Sequence, residues 1–129
     1  MQFTLINPGS GYSNGLLTSA GGRLLFIAGQ IAWDQNQQIV SDDFVEQFDR
    51  ALENVITVVK AAGGNPDHIV RLVIYVTDKI EYRERTKEVG DRYRKHMGKH
   101  FPAMVLVEVK GLLDDQAKVE IEGMAVLPA

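Results

Sequence analysis

Cysteine is missing from all 129 residues, so disulfides, thiolate nucleophiles and thiolate-held metals are excluded. Long apolar runs are missing too: no stretch approaches the ~20 residues that a membrane span requires. The N-terminal "MQFTLINPGS" has no basic segment leading into an apolar one, so no secretory signal is expected. The resulting expectation is a cytoplasmic protein with no membrane partner. Neither charge dominates, with 14 basic against 17 acidic residues and a net charge of −3. Non-specific nucleic-acid binders displace counterions with a basic surface, so no nucleic-acid partner is expected either. What is present is an ordinary globular composition, 45% hydrophobic and 24% charged. It argues against disorder or a fibrous repeat and fits a single domain over residues 1–129, large enough to bury a core.

Along the chain the hydrophobic period changes repeatedly. "MQFTLI" alternates and ends at the turn-forming "NPGSG", residues 7–11. Gly21-Gly22 is a hairpin signal before "RLLFIAGQIA", where residues 23–28 read as a strand ending at Gly29. "WDQNQQ" reads as a loop, and Ile39-Val40 extend a short strand to residue 40. Then Phe44, Phe48, Ala51, Leu52, Val55, Val58, Val59 and Ala62 recur at three- and four-residue spacing, the mark of an amphipathic helix. Ser41 suits its N-cap, Asp42 and Asp43 its positive end, and Gly63-Gly64 its stop. "HIVRLVIYVT" predicts a strand over 69–77. Asp78, with Glu81 three residues on, opens a second helix as a capping-box variant. That helix carries Ile80, Tyr82, Val89, Tyr93 and Met97 inward and breaks before "GKHFP". "AMVLVEVK" and "AKVEIEGMAV" supply the last two strands.

This order predicts an α+β fold, a mixed sheet with two helices on one face. The strands, however, are apolar on both sides. Val70, Leu72, Ile74 and Val76 oppose Ile69, Val73 and Tyr75; Ala103, Val105, Val107 and Val109 oppose Met104 and Leu106; Leu24 and Phe26 oppose Leu25 and Ile27. Such strands are buried on both faces, and two helices cover only one. The other face is expected to meet another subunit.

Several segments, in order, carry a resemblance: "GYS" at 11–13, "FIAGQIAWD" at 26–34, "QFDRALENVITVVKAAGG" at 47–64, "VIYVTD" at 73–78, "FPAM" at 101–104 and "VEIEGMAV" at 119–126. Along nearly its full length the chain resembles the RidA (YjgF/YER057c/UK114) family of small imine and enamine deaminases. The resemblance implies a chorismate-mutase-like α+β sandwich, a homotrimer, a small-molecule ligand in the clefts between subunits, and neither cofactor nor metal. It implies that Glu120 positions the water that attacks a C=N carbon. Tyr12 and the turn Ala28-Gly29-Gln30 would complete the pocket, together with Thr86 on the second helix and Ala103, Met104 and Val105 on the following strand. Three of these depart from the family pattern. Met104 stands where the deaminating members keep the arginine that grips a substrate carboxylate, Thr86 where an asparagine is usual, and Ala28 where a serine is.

Arginine holds a carboxylate by a bidentate, charge-assisted pair, whereas methionine offers polarizable apolar surface. Losing such a contact costs about 1.5–3 kcal/mol per hydrogen bond, enough to weaken 2-imino-acid binding ~10²-fold. No basic residue nearby in sequence is a substitute, Lys110 being ~20 Å away at strand rise. The expected activity is therefore hydrolysis of a reactive imine or enamine that is not a simple 2-imino acid. The alternative is a family member that binds small molecules without deaminating, or that hydrates or tautomerises them. A ribonuclease role is the weakest reading, given the acidic balance and the lack of paired catalytic histidines. His96 and His100 have helical metal-binding spacing, but Gly98 and Pro102 break the helix, so no metal is expected. Glu122 shares a strand face with Glu120 and Met124, which leaves its role open.

Overall fold

Alternation over residues 23–30, 69–76, 103–108 and 119–127 yields four strands of one sheet in the computed structural model, which describes residues 3–19 and 21–129. They are β3 (Arg23–Gln30), β4 (Ile69–Val76), β5 (Ala103–Glu108) and β6 (Val119–Leu127), in the spatial order β3-β6-β4-β5. β6 runs antiparallel to both β3 and β4, while β4 and β5 are parallel. The sheet is thus mixed and the fold α+β, as the sequence predicts. Ahead of it stands a hairpin the sequence reading only half describes: β1 (Phe3–Gly9) pairs with β2 (Tyr12–Thr18). The strand continues through Asn7-Pro8 and turns at Ser10-Gly11 instead of at residue 7, with Gly11 at φ +80°. Residues 1 and 2 of the "MQFTLI" run lie outside the described residues. Ile39 forms a single bridge to Trp33, not a strand.

The long amphipathic pattern folds as α1 (Phe44–Ala61), whose Phe44, Phe48, Leu52, Val55 and Val59 are buried against the sheet. Each such side chain contributes about 1.5–3 kcal/mol on burial. Its cap is Asp43, not Ser41: the Asp43 carboxylate accepts from the Glu46 N–H at 3.0 Å, while Ser41 accepts from the Asp43 N–H. The exit is a Schellman turn, with Gly63 at φ +90° and the Gly64 N–H donating to the Val59 carbonyl at 3.0 Å. The second helical stretch is two pieces, so the α-helices among the described residues number three, not two: α2 (Lys79–Glu84) and α3 (Thr86–Met97). Asp78 caps α2 as expected by accepting from Ile80 and Glu81. The break at Arg85 lets its guanidinium reach both Glu88 and Asp43, at 2.7–2.9 Å. The break also resets the helical phase, so Val89, Tyr93 and Met97 are buried but Ile80 is exposed. No helix among the described residues is long and apolar enough to cross a membrane.

α1 and α3 meet over Asp49, whose carboxylate takes Arg92 at 2.6 Å, Lys95 at 3.1 Å and His96. Burial pushes its carboxyl up, but the bonds from His96, Lys95 and Arg92 outweigh this and hold it below the usual carboxylate range. His100 instead bonds the Ile69 carbonyl at 2.7 Å. The two histidines therefore serve separate packing contacts.

One strand face differs from the sequence reading. A bulge at Val70, between the pairs Ile69–Ala125 and Arg71–Met124, places Ile69 on the helix side with Leu72, Ile74 and Val76. A one-residue insertion flips every side chain before it to the other face. The opposite side of the sheet carries no helix, and there Phe26 is 70% and Leu24 61% exposed.

Gln47 is wholly buried on α1 and acts as a staple for the loop before β6. Its amide donates to the Ser41 and Gln116 carbonyls at 2.8 and 3.0 Å and accepts from the Lys118 N–H at 2.8 Å. Gln47→Leu, near-isosteric and apolar, is expected to lower unfolding free energy by about 2–3 kcal/mol because three backbone groups lose their partner. Urea denaturation with an unchanged m-value would measure it; a loss within the noise would mean water replaces the amide.

Candidate functional site

On the helix-free face, β6 presents Glu120 and Glu122 side by side, both half-buried. β4 decides between them. The Tyr75 hydroxyl donates to Glu122 Oε1 in a short hydrogen bond, and that bond, with burial and the charges of Glu122 and Glu120, raises the phenol above its ordinary pKa. Glu122 is thereby committed. The Glu120 carboxylate, on the residue directly opposite Tyr75 in the register, accepts no hydrogen bond among the described residues.

β3 shapes the ground beneath Glu120. Between Ile27, paired with Gly123, and Gln30, paired with Ile121, the strand holds one residue too many. The turn Ala28-Gly29-Gln30 is this bulge. Gly29 lies so close to Glu120 that a Cβ there would stand 1.9 Å from Oε2 and 2.8 Å from Cδ. The carboxylate therefore rests on bare backbone. The Gln30 side chain folds back to donate to the Ala28 carbonyl at 3.1 Å. Beside the bulge a cleft of about 400 Å³ is lined by Phe26, Ala28, Arg71, Val73, Glu122 and Met124. The lining of this cleft takes in Glu122 and not Glu120; the Glu120 carboxylate, resting on the Gly29 backbone, keeps lone pairs free to accept a proton from water.

Met104 lies elsewhere. In the parallel register it pairs with Leu72, whereas Glu120 pairs with Tyr75. Leu72 and Tyr75 are three residues apart on β4, so Met104 and Glu120 point to opposite sides of the sheet, with β4 between their strands. Met104 packs against the core and lines a second cavity of about 220 Å³, between α2, α3 and β5. Thr86 lines it too, but its hydroxyl donates back to the Tyr82 and Arg83 carbonyls, leaving the methyl to the cavity. Tyr93 stacks on Phe101 at 5.1 Å along the wall. Of the expected neighbours on β5, Ala103 and Val105 alternate with Met104 and share the helix-free face with Glu120; Val105 is 41% exposed. Tyr12 belongs to neither cavity. Its ring lies over Gly9 at the hairpin end, and the adjacent Gly11 reaches the Met104 cavity instead.

Apart from Tyr12, the expected site residues therefore form two groups that one chain does not bring together: Ala28, Gly29, Gln30, Ala103, Val105 and Glu120 on or beside the open face, Thr86 and Met104 on the helix side. Sequence reading missed Tyr75, which separates the two glutamates, and Arg94, which lines the Met104 cavity. The signal for Arg94 was present: Thr86, Gly90 and Arg94 recur every four residues, one helix stripe with a glycine in its middle.

A family model described as Endoribonuclease L-PSP matches residues 4–127. The chain is 34% identical over 108 residues to 2-iminobutanoate/2-iminopropanoate deaminase of Salmonella typhimurium, covering 81% of this chain and 80% of that protein. It is 33% identical over 105 residues to a RutC family protein of Pyrococcus horikoshii, covering 81% and 79%. Among solved structures, YyfB of Yersinia pestis, of the conserved Rid protein family, matches with a TM-score of 0.85 at 29% identity, over 98% of this chain and 100% of that one. Escherichia coli TdcF, solved with bound serine, matches with a TM-score of 0.71 at 29% identity, over 89% and 87%.

The contact between Gly29 and Glu120 can be tested directly. Gly29→Ala is expected to leave stability within about 1 kcal/mol, because the clashing atoms are the free end of a flexible side chain. The carboxyl carbon resonance of Glu120 should shift while that of Glu122, held by Tyr75, does not. Equal shifts at both would mean the bulge supports the whole strand face and not Glu120 in particular.

Proposed function

The chain belongs to the Endoribonuclease L-PSP family, the RidA/YjgF group with its chorismate-mutase-like α+β fold, and we propose that it hydrolyses a reactive imine or enamine to a carbonyl compound and ammonia. Family membership supports RidA-like imine deamination at that coarse level. The observation that carries the reading for this chain is the Glu120 carboxylate, unpaired among the described residues and laid on the Gly29 backbone on the face of the sheet that carries no helix. Glu120 takes a proton from water as its oxygen adds to the C=N carbon. That proton passes to nitrogen and completes the carbinolamine; Glu120 then takes the carbinolamine's hydroxyl proton and delivers it to the amino nitrogen as the C–N bond breaks, so the C=O forms and ammonia leaves. Water and the imine are thus fully accounted for in the carbonyl product and ammonia.

The site is complete only between copies. Met104 and Thr86 stand on one side of the sheet and Glu120 on the other, so a ligand touching both groups sits where one subunit's helix side meets another's open face. Leu24 and Phe26, too exposed for a lone molecule, support the same arrangement. The assembly is a homotrimer, as the resemblance implies. Light scattering at micromolar concentration is expected to give three times the chain mass, and a stable monomer would remove the shared cleft and this mechanism with it.

The substrate is not a simple 2-imino acid, because Met104 leaves the carboxylate without its anchor on β5. A second reading, ligand binding without turnover, is favoured by the same residue and by the serine found in TdcF. An assay with freshly generated imines decides between them, with RNA as a control expected to stay intact. Glu120→Gln should keep the assembly and lower turnover about 10²–10⁴-fold. Unchanged turnover would shift the water-holding role elsewhere. Met104→Arg should raise activity on 2-iminopropanoate by up to about 10²-fold, mainly through tighter binding, since the anchor contacts ground and transition states alike. The gain is limited because a half-buried guanidinium lacks partners when the site is empty. A variant that stays assembled yet gains neither binding nor turnover would make Met104 a packing residue only.

A further inference from the structure

The cavity that holds Met104 is walled by apolar side chains, but one guanidinium reaches it. Among the described residues Arg94 is the only charged side chain in its lining. It comes from α3, not from β5, and lies one turn beyond Gly90 on the Thr86 stripe. Gly90 has no side chain to keep it out: a Cβ there would stand 3.1 Å from Arg94 Nη1. The arginine is not consumed by structure. Its ion-pair partner is Asp91, joined through Nη2 at 2.6 Å, and both side chains are more than half exposed. An exposed i,i+3 pair of this kind is weak and screened, and a guanidinium has donors to spare. Met104, Leu106, Phe101 and Tyr93 make the rest of the wall polarizable and apolar.

We propose that this cavity binds a small molecule with an apolar body and a single anionic group, the body against Met104 and Phe101 and the anion on Arg94 at the mouth. The grip lost from β5 is thereby supplied from α3. Because the guanidinium now lies on the helix stripe and Met104 occupies the strand position, the anion is set apart from the reacting carbon by an apolar segment. As a statement about substrate, this rests on the deaminase reading above; as a statement about binding, it does not.

Phenylacetate and its neutral isostere phenylacetamide are the probes, titrated into the wild-type protein by calorimetry or by following amide shifts of α3 and β5. The wild type is expected to prefer phenylacetate by about tenfold, a preference that added salt weakens. Arg94→Gln should bring the ratio to about one without altering phenylacetamide binding, and Arg94→Lys should retain part of it. Asp91→Asn should keep or increase the preference, because it frees the guanidinium. A preference that survives Arg94→Gln, equal binding of the two probes by the wild type, or no binding of either at millimolar concentration would each overturn the proposal. None of these readouts involves turnover. If Glu120→Gln leaves deamination unaffected while Arg94→Gln abolishes the anion preference, the mechanism fails and this inference stands.

Discussion

A sheet that carries helices on one face must leave the side chains of its other face unburied. Here those include Phe26, Leu24, Val105 and Val107, alongside Glu120 and Glu122. The arrangement follows from where the last strand goes. β6 enters between β3 and β4 and runs antiparallel to both, so the carboxylate-bearing strand stands at the centre of the sheet. Ile121, Ala125 and Leu127 then close the core under α1, and the alternate residues are forced outward. Candidate chemistry and candidate interface share one surface for that reason.

Within that surface, two irregularities set the polar groups. The bulge at Ala28-Gly29 removes a side chain where the Glu120 carboxylate lies, and Tyr75 takes Glu122 out of contention by donating to it. Neither effect requires a large energy. Both are matters of position: one missing Cβ and one phenol in register decide which of two chemically identical carboxylates is available. The same economy shapes the opposite side, where Gly90 opens a gap on α3 that Arg94 fills and Thr86 turns its hydroxyl back onto the carbonyls of α2.

The helices are held against the sheet partly by polar contacts that no hydrophobic pattern announces. Gln47 occupies a core position on α1 and satisfies three backbone groups of distant segments. Asp49 gathers Arg92, Lys95 and His96 from α3, and Arg85 links the start of α3 to the cap of α1. A buried polar group is tolerated only where its bonds are made, so these contacts fix the angle of α3 and with it the cavity that Met104 and Arg94 share.

Period alone determined much of this protein: the long amphipathic α1, the four strands of the sheet though not their exact ends, their double-sided apolarity, and the glycine stop after α1. These are local or near-local properties, written in spacings of two and of three to four residues. The order of motifs determined the family. The tertiary structure decided the rest, because it depends on pairings between residues far apart in the chain. The bulge at Val70 turned Ile69 to the helix side; the break at Arg85 divided a helix that reads as continuous; the cap moved from Ser41 to Asp43, where Arg85 could also reach it. Above all, Met104 and Glu120, which the resemblance assigns to one cleft between subunits, stand on opposite faces of the sheet within one chain. Strand order and register alone settle that separation, and no alternation within a single strand encodes either.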